Sequence, residues 1–220
     1  MDKPEAILRE TLPPDEIAEF KALAYPMQVK AGYVLYSEGD YSNYIYFIET
    51  GHVKLYKSTS LGEIITLSIR KPGDVIGIAG VLTGRYRCVF AETIDICKIW
   101  RMKGESFIEL LYARPRFAVR VAALLGKRLC DAEIAIANLT SMEVDRRLAW
   151  LLKDLAATAS NPDGEKLRIA VKLTHQDIAS MIGTCRQTVT TALGRLKEDG
   201  IINVGKRYIE IIDLNKLSNM

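Results

Sequence analysis

The sequence predicts an α+β chain with an N-terminal antiparallel β-sandwich or jelly roll, one long helix, and a C-terminal pair of short helices followed by a β-hairpin. Three observations carry this. Between Met27 and Met102, short apolar and aromatic runs alternate with glycine-centred turn signals. From Ala118 to Leu139, apolar residues recur at steps of four and three. From Leu173 to Ile202, the residues LTHQDIASMIGTCRQTVTTALGRLKEDGII carry two helix starts, a tight turn and a helix stop.

Taken in order, residues 14–24 (PDEIAEFKALA) read as a short amphipathic helix. The runs GYVLYSEGD, YIYFIETG, HVKLYKSTSLGE, IITLSIRKPGD, RYRCVFAE and DICKIWRM read as strands. Tyr44, Tyr46 and Ile48 alternate with Ile45, Phe47 and Glu49. Gly32, Gly39–Asp40, Gly51, Gly62, Gly73–Asp74 and Gly84 punctuate them. Residues 103–112 form a short helix that ends before Pro115. The long helix runs from about Arg116 to Asn138. On it, Ala118, Ala122, Leu125, Leu129, Ala132, Ile136 and Leu139 form an a/d seam suited to an identical helix, with the small alanines allowing close approach. A neighbouring stripe, Phe117, Val121 and Leu124, is placed to cover the sandwich. The alternative is a helix buried wholly against its own sandwich. Leu139 to Glu143 reads as a hinge. A helix over VDRRLAWLLKDLAATA then buries Leu148, Leu151, Leu152 and Leu155. SNPDGEK is a loop, LRIAVKL a strand, and IINV-GK-RYIEII a hairpin turning at Gly205–Lys206.

The paired helices carry the most specific pattern. Numbered from His175, position 5 is Ala179, small where two helices cross closely. Position 9 is Gly183, where the turn wants a positive φ. Position 15 is Val189, which packs back on the first helix, and Ile178, Ile182 and Leu193 fill the other inward positions. Thr174 with Asp177 reads as a loose cap on the first helix, and Thr184 with Gln187 as a full capping box on the second. Gly200 after Asp199 fits the stop. This is the helix-turn-helix unit that sets a helix in the DNA major groove, and a hairpin after it makes a wing. The plain alternative is an αα-hairpin in a helical core.

Composition narrows the class. With 220 residues, 49% apolar and 26% charged, the chain can bury a good core in two domains. No apolar run reaches the roughly 18 residues of a membrane span. MDKPEAILRE lacks the basic-then-apolar pattern of a signal peptide, so the cytoplasm is expected. Cys88, Cys97, Cys130 and Cys185 are too scattered for a disulfide framework or a metal knuckle. The net charge of +3 lies in the half that holds the helix-turn-helix. From Asp145 onward there are 12 basic and 9 acidic residues, against 18 of each before it. That favours a nucleic-acid partner modestly. No GxSxG elbow, P-loop or HExxH occurs. A cupin-type enzyme needs two or three histidines on a metal. This chain has only His52 and His175, the second outside the sandwich.

A β-sandwich, a long dimer helix and a winged helix-turn-helix, in that order, resemble the CRP/FNR transcription regulators. The resemblance runs from about Pro13 to Leu214 and is most specific in PGDVIG (Pro72 to Gly77), VDRRLAWLL and IGTCRQTV. It implies an effector-sensing sandwich over residues 1–113, a dimerisation helix and hinge over 114–140, and a DNA-binding domain over 141–220. It implies a homodimer on double-stranded DNA with a two-fold palindromic site, half-sites about one helical turn apart. RNA polymerase is an implied further partner, and a small-molecule effector of unknown identity the implied signal.

The effector pocket departs from the cyclic-AMP pattern of that family, in which a glutamate after glycine holds the ribose and an Arg-Ser pair holds the phosphate. Here Gly77 is followed by Ile78, which cannot accept a hydroxyl hydrogen bond. Arg87–Cys88 stands where Arg-Ser is expected, with Arg85 as the other register. Ala132 and Glu133 replace the Thr-Ser pair that meets the base. The pocket implied takes an anion and is not built for cyclic AMP. Solvated strand arginines are the plain alternative. A haem- or redox-responsive regulator of the same family is the second reading of the signal. The iron–sulfur route needs cysteines ahead of Cys88, where none stands, and His52 matches no haem-ligand position. Cys185 lies at the start of the reading helix, where the dipole favours a thiolate. A regulatory module that binds no DNA is a third reading, against which the helix-turn-helix argues.

For DNA, Arg186, Gln187, Thr190 and Thr191 are the expected base readers: arginine grips guanine and glutamine grips adenine in bidentate fashion. The resembled family usually has arginine where Thr191 stands and often glutamate where Gln187 stands. Thr174, Thr184, Thr188, Arg195 and Lys206 are expected phosphate contacts.

Overall fold

The computed structural model describes residues 12–157, 167–169, 171–205 and 208–220. The chain falls into two compact units, Met1–Lys57 with Ser68–Glu133, and Ser58–Leu67 with Ile134–Met220.

The first unit opens with helix α1 (Pro14–Ala22), whose proline occupies a first-turn position with no backbone N–H to satisfy. Eight strands follow: β1 (Ala24–Val29), β2 (Val34–Tyr36), β3 (Tyr44–Thr50), β4 (Val53–Ser58), β5 (Ile64–Arg70), β6 (Val75–Ile76), β7 (Phe90–Thr93) and β8 (Cys97–Lys103). They form two antiparallel sheets in the orders β1-β8-β3-β6 and β2-β7-β4-β5, the sandwich the alternating pattern predicts. Two helices follow or interrupt them, α2 (Ile78–Thr83) and α3 (Gly104–Ala113). The short apolar run of α2 carries no helical period and is not separable from a strand by pattern alone.

β3 is buried on both faces. Tyr46 and Ile48 point between the sheets with Val53, Ile76, Ala91 and Ile99. Ile45 and Phe47 point the other way and meet Phe20 of α1, Phe107 of α3, and Phe117 and Val121 of α4 (Pro115–Ser141). Phe117 is 2% and Val121 4% exposed. Burying such side chains contributes about 1.5–3 kcal/mol each, so this stripe fixes the N-terminal half of α4 to the sandwich. Leu124 packs on the same core, as expected, and so does Leu125, which the sequence places on the seam. The remaining seam is open. Leu129 is 61% and Ile136 63% exposed, and Ala122, Ala132 and Leu139 are exposed as well. Within the first unit, the sandwich leaves Ala122, Leu129 and Ala132 uncovered.

The second unit contains the end of α4, α5 (Val144–Ala157), β9 (Leu167–Ile169), α6 (His175–Met181), α7 (Arg186–Glu198), β10 (Ile202–Val204), β11 (Ile209–Ile211) and α8 (Leu214–Ser218). Only Met142 and Glu143 separate α4 from α5, a shorter break than the expected hinge. Leu148, Leu151 and Leu152 of α5 are buried as predicted, joined by Ala156, while Leu155 is only partly covered. The strands make a small antiparallel sheet in the order β10-β11-β9, the wing. Its turn residue Lys206 and the SNPDGEK loop lie outside the described residues. Residues Ser58–Leu67 belong to this unit: the Thr66 amide donates to Ser180 Oγ at 3.1 Å, and Thr66 Oγ1 donates to Asp177 Oδ1 at 3.1 Å.

Candidate nucleic-acid interface and sensing site

The helix-turn-helix is assembled by local chemistry. Thr174 caps α6 in a complete capping box: its Oγ1 accepts from the Asp177 amide at 3.0 Å, and Asp177 Oδ2 accepts from the Thr174 amide at 3.0 Å. The cap read as loose is thus the full one. The second cap differs from expectation. Cys185, not Thr184, is the N-cap of α7 and makes no side-chain cap bond. Thr184 sits one residue earlier, in the turn, where its amide donates to the Ala179 carbonyl at 2.9 Å. That bond fixes the turn length and moves the helix start by one. Gln187 is therefore not drawn into a cap, and its amide is left for another partner.

Ala179 and Val189 are fully buried, and Ile178, Ile182 and Leu193 close the crossing. Gly183 has φ +64°, and a Cβ there would stand 3.0 Å from Leu139 Cδ2. Arg147 of α5 adds a brace that the sequence does not signal. Its guanidinium donates to the Leu139 carbonyl at 2.9 Å and the Gly183 carbonyl at 3.4 Å, tying the end of α4 to the turn.

This frame presents one face. Arg186, Gln187, Thr190 and Thr191 of α7 are exposed and line a shallow concavity with Cys185 and with Gln176 of α6. Gln176 was not among the expected contacts, although its place in the first turn of α6 is the available signal. Thr190 is less available than its position suggests: its hydroxyl donates to the Arg186 carbonyl at 2.9 Å and lies 2.8 Å from His175 Nδ1. Thr174 is exposed, and Thr184 and Thr188 are half-buried. Arg195 pairs with Asp145 at 3.0 Å; both are well exposed, and such a pair contributes little, about 0–1 kcal/mol. Cys185 Sγ lies 3.1 Å from Thr188 Oγ1, and that hydrogen bond, with backbone amides behind it, lowers the thiol pKa.

In the sandwich, the structure separates the two candidate arginines. Arg85 and Cys88 are exposed, whereas Arg87 is 6% exposed. Its guanidinium donates to the Gly77 carbonyl at 2.8 Å and to the Tyr44 carbonyl, and stacks 4.3 Å from the centre of the Tyr36 ring. Gly77 has φ +87°, and a Cβ there would lie 2.7 Å from Arg87 Nη1, so glycine is required for this approach. Ile78 beside it is 2% exposed. Ala132 and Glu133 are exposed on α4. One turn earlier, α4 sends in Arg128 instead, which meets Asp74 at 3.3 Å. Burial, and then the Arg70 charge, push the Arg128 pKa down to about 10, and burial raises that of Tyr36. His52 directs Nδ1 to Asp95 at 2.8 Å, beside the buried Cys97, whose thiol burial pushes up to about 12. Among the described residues, no group of three His, Cys, Asp or Glu side chains is placed to hold a metal ion, and no helix is long and apolar enough to cross a membrane.

Residues 26–114 match the cyclic nucleotide-binding domain, and residues 146–220 match the Crp-like helix-turn-helix domain. The chain is 30% identical to the global nitrogen regulator of Synechococcus elongatus, over 87% of this chain and 87% of that one. It is 26% identical to the cyclic AMP receptor protein of Thermus thermophilus, over 91% and 89%. The solved structure of FixK2 from Bradyrhizobium japonicum shares the fold, with a TM-score of 0.81 at 24% identity over 89% of this chain and 96% of that one. These relatives are regulators rather than enzymes. With the same two domains in the same order along the chain, this protein belongs to the CRP/FNR family of transcription regulators, whose members bind DNA and act as dimers.

Proposed function

We propose that the chain works as a homodimer whose α4 seams pair, that α7 of each copy reads one half of a two-fold DNA site, and that a small molecule other than cyclic AMP gates this from the sandwich. The observation that carries the dimer is the open seam. Leu129 and Ile136 are each more than 60% exposed at heptad spacing on a helix whose other stripe is already anchored. For DNA reading, the support is an exposed Arg186–Gln187–Thr191 edge on a helix held by buried Val189, Ala192 and Leu193. Arg186 and Gln187 are the base readers and Thr191 a shorter third. Thr190 orders His175 and Arg186 rather than reading. Thr174, Thr184, Thr188 and Arg195 are the phosphate contacts, with Lys206 added from its place in the sequence alone.

Against cyclic AMP stands Ile78, buried where a ribose hydroxyl would need an acceptor. The effector domain is proposed over residues 1–113, the dimer helix over 114–140 and the DNA-binding domain over 141–220, in the cytoplasm, with RNA polymerase as the downstream partner. Sedimentation of wild type and Leu129→Glu, with gel shifts on genomic fragments, tests the reading. The wild type should sediment as a dimer and shift discrete fragments, and the variant should be monomeric with at least 100-fold weaker DNA binding, about 2.7 kcal/mol. A monomeric wild type, or a variant that binds DNA as well as wild type, contradicts it.

A further inference from the structure

Resting on the reading that α7 enters DNA, we infer that His175 makes DNA binding proton-linked: each protomer takes up a proton at His175 on binding, and the complex is tighter in acid than in alkali. His175 opens α6, and its side chain is half-buried. Its Nδ1 lies 2.8 Å from Thr190 Oγ1 on α7. The one hydroxyl proton of Thr190 is already donated to the Arg186 carbonyl, at 2.9 Å. Nδ1 must therefore carry the hydrogen and donate it, which fixes the tautomer. Nε2 is left as the atom that gains or loses a proton. The bond to Thr190 is kept in both states, so the ring stays in place while its charge changes.

Position makes that charge matter. Thr190, which holds the ring, and Gln176, the next residue on α6, both line the concavity of Arg186, Gln187 and Thr191. The imidazole therefore borders the surface that faces DNA. The charged and titratable groups around it are Asp177 on its own helix, Lys172 in the approach to that helix, and Arg186 with Cys185 at the start of α7. Asp177 turns its oxygens to the Thr174 amide and to Thr66 Oγ1. Thr66, the residue that β5 sets on α6, is uncharged. A phosphate backbone beside an imidazole favours the protonated ring, so proton and DNA strengthen each other's binding. The bound form holds the proton more tightly than the free form. The added affinity is therefore present at low pH and is lost as pH rises through the range in which histidine changes charge, between pH 5 and 8. Cys185 titrates on the same face, and its thiolate also opposes phosphate as pH rises, so the variants must separate the two.

Fluorescence anisotropy with a duplex enriched from a random pool by the wild type tests this between pH 5.5 and 8 at fixed ionic strength. Wild-type affinity should fall by about tenfold or more over that range. The slope of log affinity against log salt should be shallower at pH 8 by about two for the dimer, one phosphate for each His175. Calorimetry near pH 6.5, in buffers of different ionisation enthalpy, should show proton uptake on binding. His175→Asn, which can keep a donor at the Nδ1 position, should bind at pH 5.5 as the wild type does at pH 8. His175→Lys, charged throughout, should bind more tightly than wild type at pH 8, a gain that misfolding cannot give. His52→Asn removes the other histidine of the chain and should keep the wild-type profile. Binding of the enriched duplex that is independent of pH overturns the inference alone. So does a His175→Asn profile as steep as wild type, which would assign the effect to another group such as Cys185, or a His175→Lys variant without the gain. Enrichment of no duplex at any pH overturns the regulator reading, and this inference with it.

Discussion

Helix α7 and the inward face of the sandwich both carry arginines, but in opposite settings. Arg186 stands exposed at the first turn of α7, on a scaffold made mostly within some thirty consecutive residues and braced by Arg147. Arg70, Arg87 and Arg128 are turned inward, and their surroundings draw on Tyr36, Tyr46, Asp74 and Gly77, spread over more than ninety positions. A surface reader needs only local geometry and open water behind it. A buried charge needs every neighbour placed. The difference teaches that the helix-turn-helix pattern is legible from neighbouring residues, while the setting of the sandwich arginines depends on a few side chains distant in sequence.

The largest effect should come from the local scaffold. Ile178 is fully buried at the helix crossing, so Ile178→Ala should destabilise the second unit by about 2–5 kcal/mol. The two tryptophans make this readable, since Trp100 lies in the first unit and Trp150 in the second. The unfolding transition followed by Trp150 should move and that followed by Trp100 should hardly move. Equal shifts in both would break the comparison.

A smaller, pH-linked effect should appear only at the sandwich. Hydrogen bonds from Lys21 and then Lys98 hold the Glu49 carboxyl well below the usual carboxylate range, at about 2. Its side chain is 25% exposed and also accepts from Trp100 Nε1 at 2.9 Å. Because the folded pKa is depressed, its contribution is present above the unfolded value of about 4.3 and is lost as pH falls toward 2. Glu49→Gln should remove that part of the acid sensitivity of the Trp100 signal and leave the Trp150 signal alone. An unchanged acid profile at Trp100 would show that Glu49 does not anchor α1 to β3 and β8.

The same contrast explains what was legible. Ala179, Gly183, Val189 and the Thr174–Asp177 cap could be read because turn chemistry and helical spacing act over a few residues. The cap of α7 was misplaced by one residue because Thr184 satisfies the capping pattern equally well. Only the amide bond from Thr184 to Ala179 decides between them. The sandwich strands were legible from alternation, but the burial of both faces of β3 was not, since α1, α3 and α4 cover it from distant sequence. The inward turn of Arg87 follows from Gly77 and Tyr44, thirty or more residues apart, and Arg128 sits one turn before the residues the family pattern points to. Arg147 is one charge in a helix by sequence, and its three carbonyl partners, Leu139, Met142 and Gly183, come together only in the fold.

The central claim is that α7 reads bases while the dimer sets the spacing. Selection of bound duplexes from a random pool, sequenced for wild type and Arg186→Ala, tests it most directly. The account predicts a palindrome with half-site centres about 10 base pairs apart, or one further turn. It also predicts that Arg186→Ala loses preference at one base pair per half-site, about 1–3 kcal/mol of discrimination, with the rest of the site intact. An enriched site without two-fold symmetry, or a variant that loses affinity evenly over all sequences, would contradict it.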